Sequence, residues 1–284
     1  MLPAETDPTQ KQLKEKEKHD RSTTRRMKRS QTSDYIGYIV WLVAAISATS
    51  VFSFQNFYFS KIGQITNIVE PASICGAFVV SFLCARRYGF KLRERVFDRI
   101  WFFIMLGMAL WAAANIVWSS NYFLGIAVPY PGLSDYFYLG ADIPLAAALV
   151  MYFRPFSTAL TLRRLGICAI VTAVSAGIII GFVMRSEFAI TQPLTATITD
   201  LAYPISDIVL LSLTILNLAI FIGGTIGKWW ILNGAGIVLY IVADELFLYQ
   251  NSQGTYYNGS SSDMVYVLSY LVFALAYYVH RREL

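Results

Sequence analysis

Charge is scarce in this chain. Only 14% of its 284 residues are Asp, Glu, Lys or Arg, against about 25% in an ordinary soluble domain. Histidine is almost missing, with His19 and His280 both placed outside the apolar runs. That weighs against haem, a His-ligated metal or a His proton relay within a membrane. The three cysteines, Cys75, Cys84 and Cys168, are scattered and form no CxxC. They read as small packing residues rather than a disulfide or metal framework. No HExxH, GxSxG, P-loop or DxxD repeat is present, so the familiar nucleophile, zinc and phosphate chemistries have no carrier. No long polar stretch remains that could fold as a soluble catalytic or nucleic-acid-binding domain.

Apolar sequence is abundant, at 56% hydrophobic residues. A membrane-spanning helix needs about 20 mainly apolar residues. Eight runs qualify, at about 35–54, 70–87, 99–119, 135–155, 165–184, 202–222, 228–249 and 262–280. The expected fold class is all-α, a polytopic membrane protein with eight transmembrane helices. Residues 1–34 are polar and charged, so they read as a disordered basic cytoplasmic tail that sets topology and leans on anionic lipid. A nucleic-acid reading of its KEKEKHDRSTTRRMKRS run is the weaker one.

Lys and Arg set the orientation. With the N-terminus inside, the inner segments hold 21 of the chain's 23 basic residues, leaving Lys61 and Arg185 outside. Positive residues favour the cytoplasmic side, so both termini are expected there, in a cell membrane.

The chain also repeats itself. Ser134-Asp135-x-x-Tyr138 opens helix 4, and Ser262-Asp263-x-x-Tyr266 opens helix 8, 128 residues later. Upstream, Gly107, Leu110, Trp111, Ala114, Asn115 and Trp118 match Gly236, Leu239, Tyr240, Ala243, Asp244 and Phe247 at an offset of 129. Two tandem four-helix units follow, 35–155 and 156–284. An even helix count gives both the same orientation, related by an axis near the membrane normal.

The runs ALWAAANIVWS, PYPGLSDYFYLGADIPLAAAL, DLAYPISDIVLL and VADELFLYQNSQGTYYNGSSSDMVYVLSYLVFALA resemble the multi-helix N-terminal membrane module of bacterial signalling proteins. In that family it precedes PAS, GGDEF, EAL or histidine-kinase domains, as in diguanylate cyclases. The resemblance covers most of 40–284 and implies a sensory role. This chain stops at HRREL, so a sensor built this way is expected to signal through a separate cytoplasmic or membrane partner, and a homodimer is one form it could take.

The acidic residues carry the functional expectation. Asp135 and Asp263 stand at the outer ends of helices 4 and 8, where a carboxylate caps free N–H groups. Asp142 lies seven residues further in, roughly 10 Å deeper at 1.5 Å per residue. Asp207, Asp244 and Glu245 stand at comparable levels. A charge near the bilayer centre costs at least ~2.5 kcal/mol, and no Lys or Arg sits in the outer half of any of these eight runs. These four acids therefore need protons, hydrogen bonds, water or a cation. Tyr138, Tyr203 and Tyr240 stand one turn from a carboxylate, and Asn115 and Trp118 form a matching stripe on helix 3. Tyr122, Tyr130, Tyr256 and Tyr257 read as interfacial belt residues. An acidic and aromatic pocket suits an organic cation, a metal ion or a proton. No cofactor is implied. A small-solute or ion transporter and an intramembrane enzyme stand as alternative readings, as does polar glue between helices.

Overall fold

The computed structural model describes residues 36–183, 193–224 and 227–283. The basic tail 1–34 and Arg185 lie outside the described residues. The chain divides into two compact units, 1–43 and 44–284. Of the first, the described part is residues 36–43, where the first helix begins.

Among the described residues, eight helices are long and apolar enough to cross a membrane: α1 Ile36–Ser53, α2 Phe59–Tyr88, α3 Val96–Leu124, α4 Leu133–Phe153, α5 Leu162–Val183, α6 Leu194–Phe221, α7 Gly227–Ser252 and α8 Ser261–Glu283. Short 3-10 turns at Gln55–Phe57 and Arg154–Ala159 adjoin α2 and α4. The described residues contain no strand. This is the expected all-helical, multi-pass architecture. The helices run longer than the apolar counts suggested. α2 starts at Phe59 rather than near 70, and α6 at Leu194 rather than near 202. In both cases a polar opening, with Lys61, Gln64 and Asn67 in α2 and Thr195 and Asp200 in α6, hides the first turns from a hydropathy reading.

Six helices close a ring within the second unit. Going round, α2 packs on α3, α3 on α4, α4 on α6, α6 on α7, α7 on α8, and α8 back on α2. α5 lies outside the ring, against α6 and α7. Ala48 and Phe52 of α1 lie against Val267 of α8 and Val69 of α2. Side chains such as Ile143, 73% exposed, and Ile170, Val174 and Leu194 point away from the bundle. In water such faces would be a liability. They are the kind of surface that suits a bilayer rather than water.

Two glycines let helix pairs close tightly. A Cβ at Gly107 would stand 2.5 Å from Leu145 Cγ, and one at Gly236 2.8 Å from the Phe273 ring. Gly236→Ala is therefore expected to cost about 1–3 kcal/mol by over-packing α7 on α8. Detergent-to-SDS unfolding monitored by far-UV circular dichroism measures it.

The basic end of the bundle is an aromatic core. Trp101, Trp229 and Trp230 are fully buried, with Tyr152 and Phe221 beside them. His280 belongs to this core, which corrects its placement outside the helices. It is 1% exposed, lies 4.6 Å from the Trp101 ring and is hydrogen-bonded through Nε2 to the Tyr88 hydroxyl at 2.9 Å. α8 simply continues past the last apolar residue to Glu283.

Candidate functional site

Trp111 of α3 and Tyr240 of α7 reach across the ring and stack at 4.2 Å with an interplanar angle of 16°. One turn or two further towards the α3–α4 and α7–α8 loops, Trp118 meets Phe247 edge-on at 6.0 Å. The Trp111–Tyr240 stack acts as a floor. Below it, a void of about 20 Å³ is walled by Trp111, Trp229, Trp230 and Tyr277. Above it lies a cavity of about 210 Å³, bounded by Tyr240 below and by Val128, Tyr130 and Asn251 near the loops. By the same measure one water needs roughly 10–15 Å³, so the cavity holds a small molecule or a cluster of waters.

Seven carboxyl groups line it: Glu70, Asp135, Asp200, Asp207, Asp244, Glu245 and Asp263. Six tyrosines line it as well, at 130, 138, 203, 240, 256 and 266. Among the described lining residues there is no Lys, Arg or His. The acids divide by how they are satisfied. Asp135 accepts the Gly132 N–H at 2.7 Å and the Tyr203 hydroxyl at 2.8 Å. Asp263 accepts the Gly259 N–H at 2.7 Å and the Ser262 hydroxyl at 3.4 Å. Both are thus helix caps, as their position at the start of a helix implied, and they line the cavity too. Gly259 has φ +103°, and a Cβ there would stand 2.3 Å from Ile62 Cγ1, so glycine is needed for that N–H to be presented. Asp200 accepts from Tyr130, and Asp244 Oδ1 from Tyr266.

Three carboxyl oxygens are left over. Asp207 Oδ2, Asp244 Oδ2 and Glu245 Oε2 are buried and have no hydrogen-bond partner among the described residues. Asp207 as a whole is 1% exposed. A buried polar atom without a partner costs roughly 1–3 kcal/mol, so this side of the cavity is unsatisfied as it stands. Helix geometry brings these groups together. Asp207 follows Pro204 in α6, and Pro204 cannot donate to the carbonyl of Asp200, four residues earlier. The Asp200 carbonyl therefore lacks its usual helix donor, about two turns before Asp207.

The sequence-derived candidates do not all gather here. Tyr138, Tyr203, Asp207, Tyr240, Asp244, Glu245 and Trp118 line the cavity. Asp142 does not. It lies in the seam between α4 and α6, beside Ser206 and Trp111, facing an open groove of Leu139, Ile143, Ile198, Leu201 and Ile205. Asn115 also stays outside, donating to the Tyr270 hydroxyl at 3.2 Å and to its own helix at the Trp111 carbonyl at 3.1 Å. Glu70, by contrast, belongs to the site and was not foreseen. Tyr130 and Tyr256 were read as belt residues and instead face the acids. Both phenols are held well above their ordinary range, first by burial and then by Asp200 for Tyr130 and Asp263 for Tyr256. They stay protonated and serve as donors.

No three His, Cys, Asp or Glu among the described residues stand close enough together to hold one metal ion. Compared with family models, curated proteins and solved structures, the chain gives no match.

Proposed function

We propose that this chain is a sensory membrane module that binds an organic cation in the cavity between its two halves. The observation that carries the reading is Asp207. Among the described residues it is buried, lacks a partner on one oxygen and faces a cavity lined by carboxylates and tyrosines but no basic group. A bound cation would complete its hydrogen bonding, and the tyrosine faces would attract the same charge. The lack of a three-ligand cluster favours an organic cation over a bare metal ion.

A tandem-repeat reading fits the same cavity. Gly107 meets Leu145 as Gly236 meets Phe273, and Trp111 and Tyr240, which match in the sequence alignment, stack on each other. A pseudo-two-fold axis would then pass through that stack, with the cavity on it. The Lys and Arg asymmetry supports cytoplasmic termini in a cell membrane, which would open the cavity to the extracytoplasmic side. Binding there would shift one half against the other and move the basic inner loop Arg86–Arg99, the surface suited to a signalling partner.

One observation favours transport instead. Pro71, Pro144 and Pro204 lie inside α2, α4 and α6, each within three residues of an acid, and helices weakened by proline beside acids suit a transporter. Proteoliposomes with radiolabelled butylammonium separate the two readings. The sensory reading expects saturable binding to the protein without uptake into the vesicle. Uptake above protein-free vesicles that is lost in Asp207→Asn would replace it with transport.

A further inference from the structure

The ring spreads the cavity acids over four consecutive helices, from α6 through α7 and α8 to α2. Asp207 stands on α6, with Asp244 and Glu245 on the neighbouring α7, and their charges interact. Glu70 stands on α2 and Asp263 on the neighbouring α8, and these two also interact. In the order α2, α3, α4, α6, α7, α8 the helix α2 lies opposite α6. Glu70 on the α2 wall and Asp207 on the α6 wall therefore face each other across the cavity, while Asp244 and Glu245 of α7 and Asp263 of α8 lie on the arc between them. Between them are aromatic surfaces, among them Tyr240 and Tyr266, whose rings pack edge to face at 5.6 Å.

The halves differ at one informative place. Tyr203, just before Pro204 in α6, donates to Asp135. In α2 the residue just before Pro71 is Glu70, and it stands near Asp263. Both halves give this acid a tyrosine, Tyr203 to Asp135 and Tyr256 to Asp263, but only the second half sets a further acid, Glu70, beside it. A single positive charge bound at Asp207 leaves the Glu70–Asp263 pair unneutralised. Two positive charges joined by an apolar chain satisfy both walls, with the chain lying on the tyrosines.

Resting on the reading of the cavity as a cation site, we infer that its ligand is a linear diamine-type dication, one ammonium at Asp207, Asp244 and Glu245 and the other at Glu70 and Asp263. A charge-assisted hydrogen bond is stronger than a neutral one. The second ammonium should therefore tighten binding by about tenfold or more over the matched monoamine.

The test is calorimetric titration of the full chain in nanodiscs with diaminoalkanes of three to eight carbons, each against the monoamine of equal length, at constant ionic strength. The expected result is one site per chain with a diamine-over-monoamine preference of at least about tenfold at the best length. Glu70→Gln should bring that ratio close to one by weakening diamine binding. The melting temperature of the ligand-free variant shows that it is folded. Equal affinity for the two series, or a ratio unchanged by Glu70→Gln, would overturn the two-ended ligand while leaving a cation site. No saturable binding of either series would overturn this inference together with the reading beneath it.

Discussion

The double variant Asp207→Asn/Asp244→Asn is expected to be more stable than the ligand-free parent, by about 1–3 kcal/mol. The sign follows from what the acids do. Asp207 and Asp244 each leave a buried carboxyl oxygen without a partner, and their charges act on each other and on Glu245. Amides of the same shape remove that repulsion and keep an acceptor for the Tyr266 hydroxyl. If the acids were only glue between helices, the same exchange would weaken polar contacts and lower stability, by roughly 0.6 kcal/mol for each interhelical hydrogen bond lost. Unfolding of both proteins in the same bilayer mimetic, without ligand, reads the sign. Function kept at a stability cost is the signature of a binding site.

The second large effect lies at the other end of the bundle. Trp101→Ala should destabilise the protein by about 3–5 kcal/mol. Trp101 is fully buried among Tyr88, Trp229, Tyr277 and His280, with ring centroids between 4.6 and 6.0 Å away. Truncation to Ala leaves a void that these rings cannot fill, because the helices that carry them are fixed by their other contacts. Trp101→Phe should retain much of the packing. Thermal unfolding of the two variants ranks them. Cation binding by Trp101→Ala, measured below its melting point, should match the parent, since the cavity lies beyond the Trp111–Tyr240 floor.

Much of this arrangement was visible in the chain itself, and the exceptions have physical causes. Eight apolar runs fixed the helix count because a bilayer imposes a minimum length. Asp207, Asp244 and Glu245 stood out because carboxylates in apolar helices are costly. Glu70 did not. It is the first residue of the apolar run 70–87, next to Pro71, and was given no role. In the structure α2 begins at Phe59, so Glu70 lies well inside it. Asp142 shows the opposite error. Each residue turns a helix by about 100°, and periodicity alone does not distinguish the cavity from the adjoining α4–α6 seam. Tyr130 and Tyr256 resemble interfacial aromatics in composition; their loops fold back over the acids, which is a tertiary effect without a local signal. His280 looked terminal because hydropathy falls where Arg281 and Arg282 begin, although the helix carries on through them.

The central claim is that the cavity binds an organic cation through Asp207. Titration calorimetry of butylammonium into the nanodisc-embedded protein, beside Asp207→Asn, tests it most directly. The account predicts one saturable site per chain in the parent and an affinity lower by at least about thirtyfold in the variant, the loss that follows from removing one partner of a buried charge pair. Equal binding by both proteins, or no saturable binding by the parent, would contradict it.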